Sequence, residues 1–142
     1  MERFKLIASI YLFLIRDGKI LLMRRFRTGY EDGNYGLPAG HLEDNESATE
    51  GLLREVKEEI GIKIKASDLQ LVHVMHRREK DNRLDLFYTS KSFRGKIKNT
   101  EPNKCDDVRW FELDKLPKNI IPYIKKALRC YQKGIIYSEV GW

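Results

Sequence analysis

Two kinds of apolar pattern alternate along this chain, and the joints between them mark its elements. Leu6 to Ile15 is an almost unbroken apolar run; Arg16-Asp17-Gly18-Lys19 interrupts it, and a second run covers Ile20 to Met23. Apolar runs on either side of an Asp-Gly pair predict a β-hairpin of roughly Leu6–Ile15 with Lys19–Arg25. Turn formers dominate residues 27–36, which lead into Leu37-Pro38-Ala39-Gly40. From Ser47 to Ile60 the period changes: Leu52, Leu53, Val56 and Ile60 share one sector of a helix, with Ser47 or Asn45 as its cap and Gly61 just past its end. Strands are predicted at residues 69–77, 83–93 and 107–113, and a final helix near Ile121–Lys133 with Pro122 in its first turn. Strands interleaved with two helices predict an α/β chain, a mixed sheet with helices packed on its faces.

Length and composition narrow this only slightly. A chain of 142 residues, 42% hydrophobic and 34% charged, is expected to form a single soluble domain over residues 1–142. The opening apolar run imitates a secretory signal, but charged residues and a second apolar run follow it where a small-residue cleavage site would stand. It is also too short to span a bilayer, so no membrane association is expected. Two cysteines, Cys105 and Cys130, make no disulfide framework, which points to a reducing, cytoplasmic compartment. The net charge of +6 suits polyanionic partners such as nucleotides or RNA.

The informative feature is charge in an awkward place. Glu55, Glu58 and Glu59 fall together in the sector beside the apolar stripe. Glu50 has Arg54 four residues on, whereas Glu55 has Glu59. Repulsion between such neighbours costs only about 0.2–0.5 kcal/mol per exposed pair, so an ordinary charged face stays open as a reading. The alternative is a site for a hard cation, since Mg²⁺ takes carboxylate oxygens and leaves positions for phosphates. Gly51, on the same side of the helix, would leave room for close approach.

The spacing goes further. Gly40, five residues, Glu46, seven residues, Arg54-Glu55-Val56, one residue, Glu58-Glu59, one residue, Gly61-Ile62 resembles the Nudix box at all nine specified positions. Seven of those are fixed identities, so a chance match at a given start is on the order of 10⁻⁸. Tyr35-Gly36-Leu37-Pro38-Ala39-Gly40 and the apolar start extend the likeness over most of the chain. The resemblance, to MutT-like Nudix hydrolases, implies an α/β/α sandwich whose box forms a loop–helix–loop against a mixed sheet. It implies hydrolysis of a nucleoside diphosphate linked to another group, with Mg²⁺ or Mn²⁺ as cofactor. By motif position Glu55, Glu58, Glu59 and the Gly40 carbonyl correspond to metal ligands, Glu55 or Glu58 to the general base, and Arg54 with Glu46 to a clamp holding loop and helix in register. Ala39 departs from the family's more frequent second glycine.

Beyond the box, Arg24, Arg25 and Arg27 follow the second strand, and Arg25 is the expected polyphosphate contact. His41, next to Gly40, and Glu101, in a Glu-Pro-Asn-Lys-Cys run similar to one in relatives that cleave purine nucleoside triphosphates, complete the expected substrate-binding set. Tyr35, Phe87, Tyr88 and Trp110 could stack on a base, although aromatics in strands are more often core. His73 and His76 should point to opposite faces of a strand and so share no metal. The favoured function is that of a (d)NTP-type pyrophosphohydrolase acting on a small nucleotide, as monomer or homodimer. An RNA 5′-end pyrophosphohydrolase, less favoured, and a non-catalytic nucleotide sensor are the alternatives.

Overall fold

A computed structural model describes residues 1–142. Nine strands and two helices follow in the order β1 (Ile7–Phe13), β2 (Ile15–Arg16), β3 (Lys19–Arg25), β4 (Tyr35–Gly36), β5 (Ala39–His41), α1 (Ala48–Ile60), β6 (Leu69–Arg78), β7 (Asn82–Ser90), β8 (Cys105–Glu112), α2 (Pro122–Gln132) and β9 (Tyr137–Val140). One mixed sheet has the order β5-β1-β7-β6-β9, with β1/β7 and β6/β9 parallel; a second is built around β3, which pairs with β2, β4 and β8.

The opening hairpin is shorter than its pattern suggests. Only Ile15 and Arg16 pair with Ile20 and Lys19 as strands, and the Leu21 amide reaches the Leu14 carbonyl. Before that point the chain crosses into the other sheet, where β1 lies between β5 and β7. The physical reason is burial on both faces. Ile10, Leu12 and Leu14 pack with Leu52, Val56 and Ile60 of α1, while Tyr11 and Phe13 pack with Ile124, Ala127 and Leu128 of α2. A strand between two cores reads as a continuous apolar run, which periodicity cannot tell from a hairpin arm. β3 repeats the arrangement, sending Ile20 and Leu22 to one core and Leu21 to the other.

Both helices obey their local signals. Ser47 caps α1: its hydroxyl accepts from the Glu50 amide while the Glu50 carboxylate accepts from the Ser47 amide. Asn45 takes no part in that cap. Gly61 ends α1 in the left-handed region at φ 73°. Leu53, expected in the apolar stripe, lies at its edge and is only half-buried. Pro122 opens α2 as expected. Residues 35–41, read from sequence as part of a loop, instead supply β4 and β5, and β5 carries Gly40 alongside Ile10 of β1. The C-terminal segment becomes an edge strand on β6, and the Trp142 ring lies tilted against His76 with centroids 4.6 Å apart. No helix is long and apolar enough to cross a membrane.

Candidate active site

α1 brings its glutamates to the wall of a cleft of about 380 Å³. Glu43, Glu55, Glu58, Glu59 and Glu101 line it, facing Arg24, Arg25, Arg54 and Lys104. Arg54 organises the acidic side. Its Nε and Nη2 fork onto both oxygens of Glu46 at 3.0 and 2.7 Å, and its Nη1 donates to Glu55 at 2.8 Å and to Glu58 at 3.4 Å. The fork on Glu46 holds that carboxyl below the usual carboxylate range, and Glu46 also accepts from the Glu43 amide. Glu46 thereby ties the loop before α1 to the middle of the helix.

Two glycines are explained by these carboxylates. A Cβ at Gly40 would overlap the carboxyl group of Glu55, so the Glu55 carboxyl lies against the backbone of β5. A Cβ at Gly51 would lie 2.8 Å from both Glu46 Oε1 and Ile10 Cδ1. The room at Gly51 therefore admits Glu46 and the apolar core, rather than a ligand as the sequence suggested.

Glu59 accepts a hydrogen bond from the Ala39 amide at 2.8 Å, which is a use for the position where the box context departs from a second glycine. Burial raises the Glu59 carboxyl well above its ordinary value, with Glu55 and Glu101 adding repulsion. Burial also raises Glu55, again with repulsion from Glu58 and Glu101. Carboxyls whose charged form is disfavoured by burial and by like-charged neighbours gain from a bound cation. The donor set is all oxygen, and with the wall at Gly40 it fits a hard divalent ion. The carboxylates do not converge on one point: Arg54 holds Glu55 and Glu58 and the Ala39 amide holds Glu59, and no three acidic, histidine or cysteine side chains stand ready around a common centre.

The remaining sequence candidates divide. Arg25 lines the cleft, its Nε on the Tyr30 carbonyl at 2.6 Å and its Nη2 on Thr28 Oγ1 at 3.1 Å. Glu101 also lines it, while Arg24 is paired with Asp106 at 2.7 Å and Arg27 stands outside over the Phe26 ring. His41 is exposed and lines an adjoining chamber, where Arg83 approaches it at 3.4 Å. Phe87 is core, stacked on Tyr11 and Phe13. Tyr35 and Tyr88 are buried as well, the Tyr35 hydroxyl bonded to Asp107 and Arg109. His73 is buried against the Ile135 carbonyl and Ser138, and His76 faces away from it towards Asn82 and Trp142.

The sequence model of the NUDIX domain matches residues 5–130 of this chain. The chain belongs to the Nudix family. Nudix hydrolases use a divalent metal, in keeping with the oxygen-rich cleft, and this chain is an enzyme of that pyrophosphohydrolase family. It is similar to an ADP-ribose pyrophosphatase of Methanocaldococcus jannaschii, 30% identical over 119 residues that are 83% of this chain and 68% of that protein. A CTP pyrophosphohydrolase of Escherichia coli is 33% identical over 69 residues, 49% of this chain and 51% of its own length. Among solved structures, a MutT NUDIX hydrolase from Burkholderia pseudomallei superposes with a TM-score of 0.80 at 28% identity, covering 87% of this chain and 95% of that one. The Nudix fold of this chain thus extends through β1 to α2.

Sequence reasoning missed a buried group at the far end of the cleft: Arg77, Asp85, Tyr11, Tyr123 and Ser9. A signal was present. Arg77 follows His73 and Met75 at every second position of β6, which puts a full charge on the buried face of that strand.

Proposed function

We propose that this Nudix chain hydrolyses the diphosphate bridge of a nucleoside diphosphate linked to another group, with (d)NTP-type nucleotides the first substrates to test. The observation that supports this reading is the meeting of Glu55, Glu58, Glu59 and Glu101 with Arg25 in one cleft whose wall passes the backbone at Gly40. Glu55, Glu58, Glu59 and the Gly40 carbonyl are the groups to hold Mg²⁺ or Mn²⁺, which would supply positive charge against that developing on the phosphates. Arg25 binds the polyphosphate, its guanidinium partly anchored by Tyr30 and Thr28 and free to donate on its remaining edge. His41 and Glu101 contact substrate from the two sides. Glu55 or Glu58 takes the proton from the attacking water; burial raises the affinity of the Glu55 carboxyl for protons, which suits that residue to the role. Arg54 and Glu46 keep those carboxylates in place, and positioning with electrostatic stabilisation supplies most of the rate.

The test is a phosphate-release screen over (d)NTPs, ADP-ribose, dinucleoside polyphosphates and 5′-triphosphate RNA, each with Mg²⁺ and with Mn²⁺. Glu58→Gln and Glu59→Gln are each expected to lower turnover at least about tenfold with circular dichroism unchanged, the usual scale for loss of a proton-transfer or ligand group. Wild-type turnover in both would dismiss the assigned roles. Release from none of the compounds would favour the sensor, and release from RNA alone the 5′-end enzyme.

A further inference from the structure

The cleft does not end at the glutamates. A second chamber of about 290 Å³ opens from it, sharing Tyr11, Arg25, Tyr30, Ala39 and Tyr123 as common walls. That volume is close to the lower end of small-molecule sites, about 300 Å³. The two ends differ in character: five glutamates and four cations line the first, whereas the second is lined by Arg25, Arg77 and Arg83 with no carboxylate at its surface.

The strand registers show how the second chamber is built. Ser9 on β1 stands between His41 on β5 and Asp85 on β7, and Arg83 on β7 stands beside Arg77 on β6. Paired residues face the same side of a sheet. This row therefore continues the face that Tyr11, Phe13 and Phe87 present to α2, and at its end the face changes from apolar to polar. Of the buried polar side-chain atoms there, all but one have a partner within the protein. Arg77 is spent on Asp85 at 2.7 Å and Glu79 at 2.6 Å beneath the Tyr123 ring, and the Tyr11 hydroxyl donates to Asp85 at 3.1 Å. The hydroxyl of Ser9, 3% exposed, has no hydrogen-bond partner at all. A buried donor without a partner costs free energy unless something outside the protein satisfies it. Arg83, with 21% of its side chain exposed, keeps Nε unbonded, sets Nη1 3.4 Å from His41 Nε2 and gives Nη2 to the exposed rim carboxylate of Asp81.

We propose that this chamber binds a phosphorylated, sugar-sized substituent of the substrate beyond the reacting diphosphate, its phosphate held by Arg83, His41 and the Ser9 hydroxyl. The inference rests on the hydrolase reading and extends its substrate class beyond (d)NTPs to nucleoside diphosphates whose second group is a sugar with a phosphate of its own. Arg77 and Asp85 hold the floor of the chamber and are positioning residues.

The test reads binding rather than turnover. The metal-free protein is titrated with ribose 5-phosphate, ribose and inorganic phosphate while backbone amide NMR signals are followed. Ribose 5-phosphate is expected to move the signals of Ser9, His41 and Arg83 and to bind more tightly than either ribose or inorganic phosphate. Arg83→Gln should weaken it about tenfold or more, and Ser9→Ala about threefold to tenfold, the ranges for charged and neutral hydrogen bonds. Ser9→Ala removes no internal hydrogen bond, so its fold is retained. Shifts confined to the α1 end, equal binding of ribose or of inorganic phosphate, or wild-type binding by both variants would overturn the proposal. Binding that behaves as expected in a protein that cleaves no diphosphate would leave the chamber standing and remove the hydrolase reading; cleavage with no such binding would do the reverse.

Discussion

Two arginines in this molecule each gather several carboxylates, to opposite ends. Arg54 sits on α1 with 26% of its side chain exposed and spreads its donors over Glu46, Glu55 and Glu58. Arg77 sits on β6 with 2% exposed and puts its short contacts on Asp85 and Glu79 under an aromatic ring. In the first case three carboxylates share one cation, Glu46 and Glu55 partly buried and Glu58 open to solvent, and they include residues proposed for metal and proton work. In the second, the buried pair of Arg77 and Asp85 is matched one to one, Asp85 is sealed from solvent, and Glu79 reaches the guanidinium from the rim. The difference teaches how one kind of ion pair serves two purposes. A cluster left short of positive charge can accept a cation; a neutralised, buried pair can only hold its surroundings in place.

The largest consequence concerns the buried pair. Asp85→Ala leaves the Arg77 guanidinium without its main partner, and breaking such a pair costs about 3–5 kcal/mol. A denaturant titration should show that loss as a lower midpoint with an unchanged slope. Replacing both partners together, Arg77→Met with Asp85→Leu, should recover most of it. A cost below about 1 kcal/mol for Asp85→Ala would erase the distinction drawn between the two arginines.

The exposed hub should respond the other way. Arg54→Lys keeps a positive charge but loses the fork that binds Glu46 with two donors and Glu55 with a third. Stability should fall by no more than about 1 kcal/mol, as for partly solvated pairs. Catalytic efficiency on whichever nucleotide the screen identifies should fall about tenfold or more, mainly in kcat, because the carboxylates lose their placement while the substrate's own contacts remain. A stability loss equal to that of Asp85→Ala would make Arg54 a structural residue and nothing more.

These two regions were unequally legible in the sequence. The Arg54 cluster was readable because it is local: its members lie within one loop and one helix, so their fixed spacing could be matched to the Nudix box, and it was that resemblance which implied the clamp of Arg54 on Glu46. The Ser47 cap and the Gly61 end of α1 are local too, each set within a few residues. The Arg77 cluster joins β1, β6, β7 and α2, and no local pattern says that Tyr11, Arg77, Asp85 and Tyr123 meet. The β1 run misled for a related reason. An apolar strand between two cores gives the same pattern as a hairpin arm, and only the pairing of β1 with β5 and β7 decides between them. β4 and β5 are two and three residues long, too short for alternation to show, and they stood among turn formers.

The smallest expected effect is on the acidic cluster without its cation, and it has a sign that a structural pair would not give. Burial raises the Glu59 carboxyl well above its value of 4.5 in an unfolded chain. Between that value and the raised one, the folded state holds more proton than the unfolded state, so stability falls as pH rises through the window. Glu59→Gln keeps an oxygen for the Ala39 amide but has no proton to lose. The metal-free variant should therefore melt at the same or a higher temperature than wild type at pH 7–8, with a flatter pH profile above about pH 4.5. Adding Mg²⁺ should reverse the order, because a ligand that binds only the folded state stabilises the protein in proportion to its affinity, and the variant has given up a ligand group. A carboxylate that served the fold, as Asp85 does, would instead make its amide variant the less stable protein with and without metal.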